Sequence, residues 1–119
     1  MDALSAVLDP YLLDGLQNGK AQKFEYTLEL CWKTMKVFLR QQEGIDEASP
    51  KKITKAFYLS GHLAEDDYLD LIRAIDDRNK LSHIYEQAEF DLILSRLPGY
   101  AALLRRTLHG LRKDGIKTQ

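Results

Sequence analysis

Between residues 78 and 85 the chain reads Arg-Asn-Lys-Leu-Ser-His-Ile-Tyr, which gathers a permanent cation, an amide, an imidazole and a phenol within eight positions. Arg78 offers a fixed charge and forked donors that match phosphate oxygens. His83, with an unperturbed pKa of about 6.5, can give or take a proton near neutrality. Asn79 can hold the imidazole or a phosphate oxygen. These types together can bind a phosphate and move a proton. Spacing limits how they meet. Arg78 and His83 stand five apart, roughly 140° around a regular helix, whereas Asn79 and His83 stand four apart and share a face. For all three to converge, the Arg78 side chain must curl around or the helix must loosen just after Ser82. Tyr85 would point away if the helix continued, so the helix is expected to end near His83 or Ile84, with Tyr85 folding back towards the imidazole.

The element that carries these groups is amphipathic. Tyr68, Leu71, Ile72 and Ile75 form a stripe at helical spacing, and the next positions on that face are Arg78, Asn79 and Ser82. An apolar face that ends in polar groups costs free energy unless those groups have partners or a task. The helix starts at Glu65-Asp66-Asp67, with its acids at the positive end of the macrodipole. Before it, Ser49-Pro50 opens a shorter helix in the cap-then-proline manner, closed by Gly61. A long helix is predicted from about Ala21 to Gln42, with Phe24, Leu28, Cys31, Met35 and Phe38 on one stripe. Trp32 and Leu39 widen that stripe and are assigned to the core, so this helix must touch more than one neighbour. Upstream, Asp9-Pro10 and Asn18-Gly19 divide the N-terminal residues into two short helical pieces. A last helix runs from about Gln87 to Leu111 with Pro98 as a kink. Nothing alternates with period two. The reading is an all-α, up-and-down helical bundle of about five helices, one domain over 1–112 with a frayed tail at 113–119.

The 119 residues suffice for one real core, and 45% hydrophobic with 29% charged residues is the profile of a globular protein. Net charge is -1, which argues against a general nucleic-acid glue, but its distribution is uneven. From Gly61 to Asp91 nine acids face three bases, and from Leu92 to Gln119 six bases face one acid. Arg105, Arg106, His109, Arg112 and Lys113 read as a solvated helix face, and as the best candidate for contact with an acidic partner or a phosphate backbone. One cysteine, Cys31, excludes an intrachain disulfide. No apolar run reaches the ~20 residues of a membrane span, and no secretory signal is visible, so a cytoplasmic location is expected. Histidines and cysteines are too scattered for a zinc site, and no cofactor motif or phosphate loop occurs. The chain also lacks a Gly-Ser segment followed by paired aspartates, so it is not itself a nucleotidyltransferase.

The string Arg78-Asn79-x3-His83-x-Tyr85 resembles the signature of the HEPN superfamily (higher eukaryote and prokaryote nucleotide-binding). Residues 23–36, from Lys23-Phe24-Glu25-Tyr26 through Cys31-Trp32-Lys33 to Lys36, are similar to the second-helix block of its nucleotidyltransferase substrate-binding protein family. Ser49-Pro50-Lys51 and Asp77-Arg78-Asn79 fit the same family, and the likeness spans roughly Leu16 to Leu108. The resemblance implies a helical bundle that pairs as a homodimer with the two motifs facing a shared cleft. It also implies a partner, a minimal nucleotidyltransferase encoded by a neighbouring gene. Two functions follow from it. In the first, the protein binds nucleotide or substrate for that enzyme. In the second, it is a metal-independent ribonuclease toxin, silenced when the nucleotidyltransferase adenylylates Tyr85.

Cleaving RNA without metal needs a base, an acid and a cation at the phosphorane. Arg78, His83 and Asn79 are the candidate catalytic residues, and a dimer could supply two imidazoles. AMP on Tyr85 would put bulk and negative charge beside Arg78. The plainer readings are an Arg78 paired with Asp76 or Asp77, a His83 compensating a helix C-terminus, a Tyr85 packed on the bundle, and a His62 in a turn without a role.

Overall fold

A computed structural model describes the backbone of residues 2–84 and 86–114 and the side chains of 19–84 and 86–112. Four α-helices form: α1 (Asp2–Glu43), α2 (Pro50–Leu59), α3 (Glu65–Lys80) and α4 (Gln87–Asp114), with a single 3-10 turn, Leu81–His83, continuing α3. The all-α bundle expected from periodicity is what these elements build. Tyr85 and residues 115–119 lie outside the described residues, and with them the expected turn at Tyr85 and most of the expected frayed tail.

One expected division is absent. Asp9-Pro10 and Asn18-Gly19 do not separate helices, because α1 runs unbroken through both. Proline inside a helix removes one backbone bond and glycine costs about 1 kcal/mol, and neither penalty ends a helix whose flanks are strong formers. Four helices therefore stand where about five were predicted. Pro98 is likewise carried inside α4.

The long-helix stripe is buried as its spacing requires: Phe24, Leu28, Cys31, Met35, Phe38 and Leu39 all lie in the core. Gly44 (φ 67°) terminates α1, with the Ile45 N–H donating to the Leu39 carbonyl at 3.0 Å. That is the left-handed glycine stop, and the positive φ is why glycine stands there. Residues 44–49, outside any helix, then carry the chain back along α1 to Ser49, with Arg40 bonding Asp46 at 3.1 Å on the way. Ser49 caps α2 by accepting the Lys52 N–H at 3.3 Å, as the Ser-Pro pair predicts.

Side-chain pairs set the helix directions. Pro50 shares a recess with Leu28 and Trp32, while Phe57 meets Phe38 edge to face at 5.6 Å, so α2 runs with α1. Lys51 bonds Asp76 at 2.5 Å and Tyr58 stacks on Tyr68 at 4.5 Å, so α3 runs against α2. Phe24 stacks on Tyr100 at 5.4 Å, and Phe38 and Leu111 line one cavity, so α4 again runs with α1. The outcome places the C-terminal end of α3 beside the middle of α1.

Candidate functional site at the end of α3

The end of α3 is fixed by a buried carboxylate. Asp77 is 2% exposed; Arg96 Nη1 donates to both its oxygens at 3.1 and 2.9 Å, and the Tyr100 hydroxyl donates at 2.6 Å. Burial, and then the bond to Asp77, hold the Tyr100 phenol well above its ordinary range. The same carboxylate favours the charged guanidinium of Arg96. A charge this deep persists only because both oxygens are satisfied and a countercharge is adjacent.

This arrangement decides the state of the next residue. The two acids expected as possible partners of Arg78 are both engaged elsewhere, Asp77 by Arg96 and Tyr100, and Asp76 by Lys51. Among the described residues no ion pair or side-chain hydrogen bond holds Arg78, Asn79 or His83. Arg78 is half-buried and borders a recess of about 200 Å³ together with Asn79, Leu28, Glu29, Trp32 and Pro50. Trp32, predicted as core, is only partly buried and forms one wall of this recess, with the Lys33 ammonium 5.8 Å from its ring centroid. Glu29, on the same wall, lies 3.7 Å from Lys33.

His83 lies elsewhere. The helix tightens at Leu81–His83 and ends at Ile84, which is extended (φ −91°, ψ 126°). Tightening advances each residue by ~120° instead of ~100°, so Arg78 and His83 end roughly 200° apart around the axis. His83 accordingly lines a second, more open recess of about 430 Å³ with Asn79, Asp76, Lys80, Ile84 and Glu89. Within one chain Asn79 is the sequence-predicted residue common to both recesses. Arg78 and Asn79 are brought together, as are Asn79 and His83, whereas Arg78 and His83 line different openings. Tyr85, the expected modification site, falls outside the described residues.

The opposite end of α3 holds another His–Arg pair, to which the sequence pattern assigns no role. His62 stacks on Phe57 and meets Phe38 edge to face, both at 4.9 Å between centroids, and bonds to Glu43. That bond is the first cause holding the Glu43 carboxyl below its usual value. Arg106 bonds Asp67 at 3.2 Å. Both groups border a cavity of about 120 Å³. No local signal marks His62, because Phe57 lies across a turn from it and its other partners, Phe38 and Glu43, come from a different helix. Of the basic α4 face, Arg106 is thus tied within the fold, Arg105 donates to its own helix at 3.4 Å, and His109 and Arg112 are exposed. Among the described residues no group of three or more His, Cys, Asp or Glu side chains could hold a metal ion, and no helix is long and apolar enough to cross a membrane.

The family described as nucleotidyltransferase substrate binding protein like matches residues 5–113 of the chain. A crystal structure of a protein from Thermus thermophilus superposes with a TM-score of 0.77 at 34% identity, covering 81% of each chain. No curated protein matches the chain.

Proposed function

Because the chain belongs to the nucleotidyltransferase substrate binding protein like family, we propose that it binds a nucleotide or other phosphate-bearing substrate at the Arg78–Asn79 recess on behalf of a separate nucleotidyltransferase. The observation that carries this reading is the half-buried Arg78, which has no side-chain partner among the described residues, Asp76 and Asp77 both being occupied elsewhere. A cation so placed attracts an anion more strongly than one in open solvent. Trp32 offers an aromatic face beside it, and Asn79 a second donor. The family description supports the enzyme as partner, since this chain lacks that enzyme's own motif.

The ribonuclease reading draws support from the complete Arg78-Asn79-x3-His83-x-Tyr85 string. It requires Arg78 and His83 on one phosphate, whereas within one chain they line separate openings. Binding is therefore the function that this geometry favours.

Trp32 is the one tryptophan of the chain, so its fluorescence reports the recess directly. Titration with ATP and AMP should quench Trp32, and Arg78→Ala should weaken that response while far-ultraviolet circular dichroism stays unchanged. An unaltered Trp32 signal up to millimolar nucleotide, or equal affinity in Arg78→Ala, would defeat the proposal. RNA cut by the wild type but not by His83→Ala would instead favour the ribonuclease.

A further inference from the structure

α1 and α4 run side by side, and where their inner faces diverge they leave a trench that the Arg78 site does not use. Its floor is the edge of the core, formed by the buried Phe24, Leu97 and Leu104. Leu94 and Ala101 build the α4 wall. Pro98, which costs that helix a backbone bond and is itself exposed, adds its ring to the same wall. The trench measures about 510 Å³, more than either recess at the end of α3 and about four times the His62 cavity. That is within the ~300–1,000 Å³ of small-molecule sites, which combine an apolar lining with a few placed polar groups.

The polar groups here are of one kind. Thr27 commits its hydroxyl proton to the Lys23 carbonyl at 2.7 Å. What remains is Lys20, Lys23 and Arg105, all exposed: three cations and no acid, in a chain with 18 acids and 17 bases. Among the described residues none of the three has a carboxylate partner. Asp91, a turn before Leu94, is bonded by Gln87 at 2.8 Å. Geometry brings the cations to one place. Arg105 Nε donates to the Ala101 carbonyl at 3.4 Å, which lays the guanidinium back along α4. Because Phe24 stacks on Tyr100, Lys23 stands across the trench from Ala101 at nearly the same height. Cations on opposite walls above an apolar floor match an anionic head with an apolar body beneath it. The α4 wall from Leu94 to Arg105 is about 16 Å long, which suits an extended chain better than a compact ring.

We propose that the α1–α4 trench binds a single-chain anionic amphiphile, an acyl carboxylate of medium length. Its carboxylate sits at the rim between Lys23 and Arg105, and its chain lies along Phe24, Leu97 and Leu104. The inference is independent of what fills the Arg78 recess. Trp32, which walls that recess, lies about 140° around α1 from Thr27, so the two sites open on different sides of the helix.

The test is titration calorimetry of the full chain with dodecanoate below its micellar range. Dodecanol and dodecyltrimethylammonium supply the same chain without the charge and with the opposite charge. Dodecanoate should bind saturably, one per chain, and at least tenfold more tightly than either control. Shortening it by two carbons at a time, to decanoate and octanoate, should weaken binding about tenfold per step. Lys23→Glu and Arg105→Glu, both at exposed positions, should each weaken dodecanoate at least tenfold. Ala101→Trp, also at an exposed position, should fill the trench and remove binding while far-ultraviolet circular dichroism stays unchanged. Saturating dodecanoate should leave the ATP response of Trp32 as it was, so the two sites are read separately. Equal affinity for the three probes, uptake without saturation, binding that survives Ala101→Trp, or displacement of dodecanoate by ATP overturns the proposal. So does binding that disappears as protein concentration rises, which would mean that another copy of the chain covers the trench.

Discussion

At one end of α3 the bundle holds His62 and Arg106; at the other it holds His83 and Arg78. The residue types are the same and their states are opposite. His62 is gripped by two aromatic rings and Glu43, and Arg106 bonds Asp67. Arg78 and His83 border open recesses with no side-chain partner among the described residues. The difference lies in what neighbouring helices supply. At the first end His62 and Arg106 each have an acidic counterpart within the fold and the cavity is small. At the second, the acids that could have neutralised Arg78 are drawn off by Lys51, Arg96 and Tyr100. A polar group that the fold satisfies is part of the scaffold; one that the fold leaves unsatisfied at a recess is available to a ligand.

The sharpest way to break this contrast is to remove the residue that creates it. Asp77→Ala should cost about 3–5 kcal/mol in urea denaturation, because Arg96 and Tyr100 lose their buried counterpart. A loss below about 1 kcal/mol, the scale of an ordinary substitution, would mean that Asp77 does not organise the end of α3. Next in size, Arg78→Ala should lower nucleotide affinity about 10- to 100-fold, the worth of a charge-assisted bond, while stability changes by less than about 0.5 kcal/mol. The mirror substitution, Arg106→Ala, should leave affinity unchanged.

A smaller effect is expected from Tyr100→Phe, about 1–2 kcal/mol at neutral pH. The Tyr100 phenol is raised in the fold, so its contribution is whole below the unfolded value near 10 and fades as pH rises beyond it. Tyr100→Phe should therefore flatten the alkaline limb of a stability–pH profile. The smallest change concerns Glu43, whose carboxyl is lowered, chiefly by the bond from His62. Its contribution is present above the ordinary carboxylate value and disappears as pH falls through the lowered one. Glu43→Gln should remove a modest acid-side dependence of the melting temperature and leave the neutral region unchanged. A wild-type acid limb that survives Glu43→Gln would place its origin in another carboxylate.

Much of the scaffold is legible residue by residue. The Phe24-to-Phe38 stripe is buried on one side of α1, Ser49 caps α2, and α3 begins at Glu65. Pro10 and Gly19 mislead because a breaker only sets a penalty, and the helices on either side of it outweigh that penalty. Trp32 reads as core because hydrophobicity says that a side chain prefers burial, not how much burial its neighbours provide. His62 carries no signal of its own, and the sequence offers Asp77 only as a companion for the residue beside it.

Periodicity, capping and breaker residues act between positions a turn or two apart, and such local rules suffice to specify an all-α chain with its core face and a polar end to α3. The partners of Asp77 come from 19 and 23 residues away, and that of His62 from 19. Those pairings exist only once helices pack, and they determine which charges are spent inside the molecule. The sequence places arginine and histidine at the end of a helix; tertiary structure leaves them without a side-chain partner among the described residues, because electrostatic satisfaction depends on distance in space rather than along the chain.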